Sequence, residues 1–328
     1  MDVVWLHTYN ETLNGKGTFM FQQVDFFINH GVNIELQYLK NIHRPVDFFK
    51  YLYRYRNKFK GRILHAQYGS GTAFFTSLLK AKRKIVTLRG SDWYILPKPY
   101  SYEERIRSRI SRFLTVVSFS RFDQIIVMSE SMKLDILKKR PRLIDKILVL
   151  PDGIDLSKFN PINKLDSKQM LGIKSSIFLV GVGSIDEKNS VKRIFLAKRA
   201  VELLKHKYPI ELYVLTGITP SLMNLHVNVC DVMVLTSVHE GWPNIIKEGL
   251  ACNVPFVATN VSDLSLIASD INSNCYICST NVSDIANKIE RVYLDYRSGK
   301  IMHTRKFVMN FEMNFFVSKI INIYNNYI

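Results

Sequence analysis

Short apolar runs alternate along the chain with longer segments whose apolar residues recur at helical spacing. The first run, Val3 to Leu6, stops at polar residues, and a glycine-containing loop, residues 14–17, leads into a helix-like segment, residues 19–31. The same succession recurs through the first half. It predicts further strands within residues 32–39, 62–67, 84–92, 124–129 and 146–155 and further helices within residues 72–82, 103–114 and 130–140. Such alternation favours a parallel sheet covered by helices on both faces.

A turn-rich, apolar-poor segment, residues 151–164, separates this pattern from a second one like it. The second half predicts strands within residues 176–184, 210–217, 231–237 and 255–259 and helices within residues 191–207, 243–252 and 283–299. We therefore predict two α/β lobes, over residues 1–158 and 159–305. A closing helix, residues 306–328, is expected to pack across the lobe junction.

Composition indicates a globular protein, and the net charge indicates an anionic partner. Hydrophobic residues make up 47% of the 328 residues and charged residues 22%, which excludes disordered and fibrous classes. The net charge is +17, and residues 1–160 hold 27 Lys and Arg against 14 Asp and Glu. A basic first half attracts nucleic acid, anionic lipid or phosphorylated ligands, and charge alone does not choose among them.

The sequence shows neither a signal-peptide pattern at its start nor an apolar run long enough to span a bilayer. We therefore expect a cytoplasmic protein. The four cysteines lack the spacing of a zinc site, so isolated thiols are expected.

The most informative segment joins the predicted strand 231–237 to the helix that follows. Pro243 suits the first helical position, so we expect free N–H groups there to face a phosphate or diphosphate. Glu240 precedes this helix and Glu248 lies inside it, so one carboxylate could hold the hydroxyls of a hexose and the other those of a ribose. The alternative is that Glu240 caps the helix and Glu248 is a solvated helix residue.

The run DVMVLTSVHEGWPNIIKEGLACNVPFVATNVSD resembles the E-x7-E region of family 4 glycosyltransferases. Further stretches match successive landmarks of that family in order, namely RILHAQYGSG, IVTLRGSD, DQIIVMSESMKLDIL, KILVLPDGIDLSKFNP and NSVKRIFLAKRAVELL. The resemblance implies a GT-B fold, with two Rossmann-like lobes, a cleft between them and a C-terminal helix crossing back to the first lobe. It also implies an acceptor-binding first lobe and a nucleotide-sugar-binding second lobe.

The resemblance assigns roles in the second lobe. Glu240 is expected to contact the donor sugar and Glu248 the ribose, and the amides of Gly241, Trp242, Pro243 and Asn244 are expected to face the sugar and diphosphate.

A basic pair near the first strand of the second lobe neutralises the diphosphate in similar enzymes. Lys192 fits the lysine of the pair. The arginine that many relatives carry is Val182 here, so Lys188 and Arg193 are the candidate substitutes.

In the first lobe, Gly15 and Gly17 suit close approach to a phosphate or sugar, although a plain turn also uses glycine. Arg89 and Asp92 stand in a loop where many relatives have histidine, glycine and aspartate. Arg89 is permanently cationic, so charge stabilisation is its expected catalytic role. The alternative is a salt bridge from Arg89 to Asp92 that braces the loop.

The resemblance implies a retaining transferase without a divalent metal or another cofactor, with front-face attack and the leaving diphosphate accepting the acceptor's proton. The expected reaction moves a sugar from a nucleotide-sugar donor to a glycan or polyprenyl-linked acceptor in cell-surface polysaccharide synthesis, such as lipopolysaccharide. A non-catalytic GT-B partner subunit is the alternative. A nucleic-acid binder ranks last because no nucleic-acid motif accompanies the charge.

Residues 44–62 combine aromatic and basic residues in the manner of an interfacial segment. Cations stand at 44, 50, 54, 56, 58, 60 and 62, interleaved with Phe48, Phe49, Tyr51, Tyr53, Tyr55 and Phe59. We expect this segment to bind the anionic inner face of the plasma membrane. The alternative is a surface helix whose aromatic side chains belong to the core and whose cations are solvated.

Overall fold

Two parallel β-sheets organise the chain. The structure is a computed structural model that describes residues 2–10, 17–184 and 189–325. The chain divides into two compact units. One consists of Met1–Gly153, His239–Trp242 and Met313–Ile328, and the other consists of Ile154–Val238 and Pro243–Glu312. We call them the first and the second unit.

The first unit contains a six-stranded sheet. Its strands are β1 (Val3–His7), β2 (Ile34–Tyr38), β3 (Ile63–Ala66), β4 (Arg83–Leu88), β5 (Gln124–Val127) and β6 (Ile147–Val149). They pair in parallel in the order β2-β1-β3-β4-β5-β6. The connecting helices are α1 (Thr18–Asn29), α2 (Pro45–Tyr55), α3 (Ser70–Leu78), α4 (Tyr102–Ser118) and α5 (Glu130–Lys139).

The second unit contains a five-stranded parallel sheet. The helix α6 (Lys164–Met170) precedes its strands, which are β7 (Phe178–Gly183), β8 (Ile210–Leu215), β9 (Val232–Leu235), β10 (Phe256–Thr259) and β11 (Tyr276–Cys278). They pair in the order β11-β10-β9-β7-β8. The helices after these strands are α7 (Ile194–Lys205), α8 (Met223–Asn228), α9 (Asn244–Ala251), α10 (Leu264–Ala268) and α11 (Val282–Arg297).

Both sheets are apolar on their two faces because helices cover them. Strands β1, β3, β9 and β10 are buried along their whole length, and their apolar runs match the predicted strands. In each sheet the strand order reverses once, between β1 and β3 and between β7 and β9. Loops that leave such a pair of strands diverge at the carboxyl edge, which is where open parallel sheets bind ligands.

The last helix, α12 (Met313–Asn325), belongs to the first unit. Tyr324 near its end accepts a hydrogen bond from the Trp5 indole N–H at 2.8 Å, and its hydroxyl lies 2.7 Å from His65 Nδ1. The two ends of the chain therefore share one core.

The units differ from the predicted lobes in their bounds. Ile154 pairs with Glu312 in a parallel bridge, and Arg305 donates hydrogen bonds to the carbonyls of Leu156, Phe159 and Ala251. The second unit therefore begins at Ile154, and it includes the 3-10 helix Arg305–Phe311. The final helix accordingly begins at Met313, later than the predicted 306.

Within the described ranges, no helix is long and apolar enough to cross a bilayer.

Candidate functional site

The segment after β9 leads to α9 at the point where the second sheet reverses its strand order. Pro243 is the N-cap of α9, with extended φ and ψ of −71° and 116°, so the helix begins one residue later than predicted, at Asn244. Pro243 itself offers no side chain that could cap this end of the helix. The alternative that Glu240 caps the helix stays open.

Glu248 lies on α9 in a half-buried position. Burial raises the pKa of its carboxyl to about 7, although Lys247 and Lys158 act in the opposite direction. Among the residues that the structure describes, no donor makes a hydrogen bond to this carboxylate. The acceptor oxygens of Glu248 are thus available to a ligand's hydroxyls, and the ribose contact and the solvated helix residue both stay open as interpretations.

Strand β7 packs directly beneath the start of α9. A Cβ on Gly183 would lie 2.6 Å from Ile245 Cγ1, so the end of the strand and the first turn of the helix are in close contact. Val182 is 2% exposed and belongs to the core of this unit. Val182 therefore offers no cation to a diphosphate, and which residue replaces the arginine of the relatives stays a prediction.

Arg193 braces the segment that follows β9. Its Nε donates to the Thr236 carbonyl at 2.7 Å and its guanidinium also donates to the Ser237 carbonyl at 2.8 Å. The Thr236 hydroxyl returns bonds to the carbonyls of Lys192 and Arg193, and the Val238 amide donates to Val191. These contacts hold two neighbouring loops at the carboxyl edge of the sheet in register.

Lys192 lies half-buried in the first of these loops, just before α7. Its predicted partner Lys188 lies outside the described residues. The role of either lysine at a diphosphate stays a prediction.

In the first unit, the loop after β4 is built around Arg89. Its guanidinium forms an ion pair with Asp152 and donates to the Gln67 carbonyl at 3.0 Å and to Gln67 Oε1 at 2.9 Å. The guanidinium also lies 4.1 Å from the centre of the Phe19 ring. The predicted salt bridge between Arg89 and Asp92 is wrong, since Asp152 takes that place. Most of the donors that Arg89 would offer to a substrate are already used.

Asp92 lies inside the same loop and binds its backbone amides. Its carboxylate accepts hydrogen bonds from the backbone amides of Gly69, Arg89 and Gly90 at 2.8 to 3.0 Å, and it is fully buried. Burial raises the pKa of this carboxyl, and the amide hydrogen bonds act against that shift. Asp92 is therefore a brace of the loop. Its catalytic role stays a prediction.

Residues His239–Trp242 belong to the first unit, where they pack on the Arg89 loop. A Cβ on Gly241 would lie 2.5 Å from the Arg89 carbonyl oxygen, so only glycine fits there. His239 stacks on Tyr94 with ring centres 5.3 Å apart, Glu240 is half-buried, and Trp242 is buried. The structure thus brings two predicted site segments together, the Arg89 loop and residues 240–242.

Gly17 has a local structural explanation. Its φ is +84°, and a Cβ there would lie 2.6 Å from Tyr9 Cβ. Glycine is therefore required for the turn and for the packing of Tyr9, whether or not a ligand approaches. Gly15 lies outside the described residues.

Sequence reasoning missed the polar groups that position these loops. Asp152, bonded by Gln23 at 2.9 Å as well as by Arg89, and Thr236 were not predicted as site residues. Asp152 stands at the end of a predicted strand, a position from which it could have been predicted as a site residue. No sequence pattern identifies a threonine, such as Thr236, that donates to backbone carbonyls. Among the described residues no group of three or more His, Cys, Asp and Glu side chains could hold a metal ion, and the metal-free reaction stays a prediction.

Comparison with known proteins finds one matching family model and several relatives. Residues 176–295, from β7 to near the end of α11, match the family described as glycosyl transferases group 1. Two curated relatives are a D-inositol 3-phosphate glycosyltransferase of Paenarthrobacter aurescens, 24% identical over 48% of this chain, and a UDP-Gal:alpha-D-GlcNAc-diphosphoundecaprenol alpha-1,3-galactosyltransferase of Escherichia coli, 28% identical over 45% of it. The chain spans less than half the length of these relatives, 46% and 45% respectively.

The fold is shared across the whole described chain. A glycosyltransferase from Rickettsia africae superposes with a TM-score of 0.70 at 15% identity, covering 98% of this chain and 97% of its own. Together with the two parallel α/β units, this likeness confirms the predicted GT-B fold.

Proposed function

We propose that this chain, whose residues 176–295 form a glycosyl transferases group 1 domain, transfers a sugar from a nucleotide-sugar donor. The observation that carries the proposal is the position of Glu248. It lies on the helix that starts at the strand-order reversal of that domain, with a half-buried carboxylate that accepts no hydrogen bond from the described residues. Such a carboxylate suits the paired hydroxyls of a ribose.

Other residues are assigned the remaining parts of a donor site in this proposal. The first amides of α9 and the positive end of its dipole suit a diphosphate, and Lys192 contributes a cation as charge builds on the departing phosphate. Glu240 holds the donor sugar in this proposal. Arg193 acts indirectly, by fixing residues 236–238.

The acceptor is proposed to be a glycan or a polyprenyl-linked sugar in cell-surface polysaccharide synthesis. The Escherichia coli relative, by its name, acts on a diphosphoundecaprenol-linked sugar and uses UDP-galactose, which supports a lipid-linked acceptor and a uridine donor. In the proposed retaining reaction the acceptor hydroxyl oxygen bonds to the anomeric carbon on the face that the diphosphate leaves. The leaving phosphate oxygen takes the acceptor's proton.

The proposal is tested by a thermal-shift screen of nucleotide sugars, followed by calorimetry with the nucleoside diphosphate that the screen identifies. A ligand at 100 times its dissociation constant adds about 2.7 kcal/mol of stability. Glu248→Ala is expected to weaken binding by about 1.5 to 3 kcal/mol, a factor of roughly 10 to 150, when measured at pH 8 where the carboxylate is charged. The exposed Glu211→Ala in the same unit is the matched control.

Equal affinity of Glu248→Ala and wild type would remove Glu248 from the site. Donor binding without any turnover on lipid-linked acceptors would favour the non-catalytic partner subunit instead.

We also propose that the protein works in the cytoplasm at the inner face of the plasma membrane, through residues 44–62. The structure separates the apolar and aromatic residues of this segment into buried and exposed ones. Tyr55 and Phe59 are buried, whereas Val46, Phe49 and Tyr53 are 80%, 66% and 92% exposed. Their spacing of three and four residues places them on one face of α2, beside Lys50 and Arg54. An exposed apolar stripe flanked by cations supports an interfacial helix.

A further inference from the structure

A buried amide at the carboxyl edge of the first sheet carries a donor that no described residue satisfies. Gln67 directly follows β3 and is 1% exposed. Its Nε2 is buried and makes no hydrogen bond within the part of the chain that the structure describes. A buried donor without an acceptor costs free energy, which an oxygen atom of a bound ligand would recover. Gln67 therefore indicates a ligand that carries such an oxygen.

Arg89 determines which end of the Gln67 amide is left for a ligand. The guanidinium of Arg89 donates to Gln67 Oε1 at 2.9 Å and to the Gln67 carbonyl at 3.0 Å. A guanidinium is a donor only, so the amide oxygen must face Arg89 and the NH₂ group must face away from it. Asp152 forms an ion pair with the same guanidinium, and Gln23 donates to Asp152 at 2.9 Å. The orientation of Gln67 is thus set by a chain of polar contacts from three other segments.

The hydroxyl of Tyr9 is a second group available to a ligand. Tyr9 is half-buried, and none of the described residues makes a hydrogen bond to its hydroxyl. Burial raises the pKa of Tyr9 to about 12, although the charge of Arg89 acts in the opposite direction. The phenol therefore stays protonated at neutral pH and can both donate and accept. The charges of Arg89, Asp92 and Asp152 all act on this hydroxyl, so it lies close to the Arg89 loop.

Tyr9 and Gln67 stand where the strand order of the first sheet reverses. Tyr9 follows β1 and Gln67 follows β3, and these two strands pair directly. The Gln67 amide continues that pairing by donating to the Leu6 carbonyl at 3.0 Å. Connections leave such a pair of strands in opposite directions, which opens a crevice at the carboxyl edge. A ligand in this crevice would meet both side chains.

The surroundings suit a neutral ring with hydroxyl groups better than an anion. Asp152 balances the charge of Arg89, and the two side chains are only 10% and 9% exposed. Asp92 adds a second carboxyl group, so the described cluster has no excess of positive charge.

Aromatic rings complete the crevice. The half-buried rings of Tyr9 and Phe19 lie 5.5 Å apart, edge to face, and the Arg89 guanidinium lies 4.1 Å from the centre of the Phe19 ring. A few convergent polar groups among aromatic side chains are typical of a small-molecule site. An amide donor and a phenol match the hydroxyls of a sugar, and the rings match its C–H groups.

We infer that Gln67 and Tyr9 bind the hydroxyls of a neutral sugar ring in this crevice, and that Arg89 is a positioning residue that acts through Gln67. The inference rests on the proposed function, and it names the contacts of the acceptor sugar. Arg89 accordingly has a role that needs no contact with the donor or with the reacting atoms.

Two conservative variants test the contacts. Gln67→Glu keeps the shape of the side chain and the oxygen that accepts from Arg89, but it replaces the donor by an acceptor. Gln169→Glu, at an exposed glutamine of α6, is the control with the same charge change. Tyr9→Phe removes only the hydroxyl, and Tyr102→Phe, at a side chain that is 72% exposed, is its control.

Saturation-transfer NMR of the full chain measures binding of the methyl glycosides of glucose, galactose, mannose and N-acetylglucosamine, with UDP present. Wild type is expected to bind at least one of them. Gln67→Glu and Tyr9→Phe are each expected to weaken that binding by at least about tenfold, whereas both controls stay within about twofold of wild type. The melting temperature of Tyr9→Phe without ligand should equal that of wild type, because the lost hydroxyl bonds to no described residue.

The positioning role of Arg89 has its own test. Arg89→Lys keeps the charge but loses the planar fork that orients Gln67, so it is expected to weaken glycoside binding about as much as Gln67→Glu does. Combining Arg89→Lys with Gln67→Glu should weaken it no further, because Arg89 acts through Gln67. Additive losses would overturn the positioning role.

Three results would overturn the sugar contacts. The first is that wild type binds none of the glycosides, or that both variants bind them as wild type does. The second is binding that both variants keep and Glu240→Gln loses, since the sugar would then lie in the proposed donor site. The third is stronger binding of inorganic phosphate than of any glycoside, lost in Gln67→Glu, since the ligand would then be an anion. The thermal shift by UDP is scored separately: its absence in wild type counts against the proposed donor site and leaves the glycoside result standing.

Discussion

At the scale of single residues, several predicted site residues use their side chains for hydrogen bonds and ion pairs within the protein. Arg89 is paired with Asp152 and Gln67, Asp92 accepts three backbone amides, and Arg193 holds two carbonyls. The partners of Arg89 and Arg193 lie 22 to 63 positions away in sequence, so no local pattern could have identified them, whereas two of the three amides bound by Asp92 lie within three residues of it. Such residues shape a site by fixing its loops, and a change in them acts through geometry rather than through direct contact.

Arg193 offers a test of that distinction. We expect Arg193→Lys to weaken nucleoside diphosphate binding nearly as much as Arg193→Ala, because a lysine keeps the charge but loses the paired bonds to Thr236 and Ser237. Calorimetry at two salt concentrations measures both variants. If Arg193→Lys keeps wild-type affinity, Arg193 acts on the diphosphate by charge, as the sequence predicted.

Glu248 leads to a prediction about pH. Its pKa rises on folding from 4.5 to about 7, so the folded state favours the neutral acid, and wild type loses stability as the pH increases through this range. Glu248→Gln mimics the neutral acid. It is expected to be more stable than wild type at pH 8 by about 2 kcal/mol, and the difference is expected to vanish near pH 4.

Thermal melts across this pH range measure the effect, with Glu211→Gln as the exposed control. A Gln variant that is less stable than wild type at pH 8 would show that attraction to Lys247 and Lys158 outweighs the cost of burial.

At the scale of elements, the sequence predicts strands better than short helices. Strands β1, β5, β7 and β9 were predicted because strands buried on both faces need continuous apolar runs. The predicted start of helix α9 lies within one residue of the observed start, and Glu248 lies on this helix as predicted. Accordingly, the helix that carries Glu248 was predictable, whereas the contacts that hold the loops before it were not.

The elements that were missed lack such patterns. Strand β11 has only three residues, and α6, with the sequence KLDSKQM, has no apolar stripe. Helix α6 is instead fixed by Asn163, which caps it, and by Asp231, which accepts from Lys164 at 2.8 Å and from Lys168 at 3.1 Å. Lys168 and Asp231 are almost fully buried.

This buried ion pair predicts a large effect on stability. Asp231→Asn is expected to lower the free energy of unfolding by about 3 to 5 kcal/mol, because it leaves the buried Lys168 ammonium without its counter-charge. Lys164→Gln, at the more exposed partner, is expected to cost less than 1 kcal/mol, a figure typical of exposed pairs. Urea unfolding followed by circular dichroism compares them, and similar losses in both variants would contradict the assignment of the buried pair as the anchor.

At the scale of the whole molecule, the chain begins and ends in the first unit. All three tryptophans, Trp5, Trp93 and Trp242, also belong to that unit. Tryptophan fluorescence therefore reports on the first unit alone, whereas circular dichroism reports on the helices of both. The two signals can distinguish variants that weaken one unit from variants that weaken the other.

Tyr324→Phe is the variant that tests this organisation. Removing the hydroxyl leaves the buried Trp5 indole N–H and His65 Nδ1 without a partner, while His65 Nε2 keeps Thr87, and this is expected to cost about 1 to 3 kcal/mol in the first unit. In urea titrations the midpoint by tryptophan fluorescence should fall more than the midpoint by circular dichroism. Asp231→Asn should show the opposite order, because its ion pair lies in the second unit. Equal shifts of both signals in both variants would show instead that the two units unfold as one cooperative body.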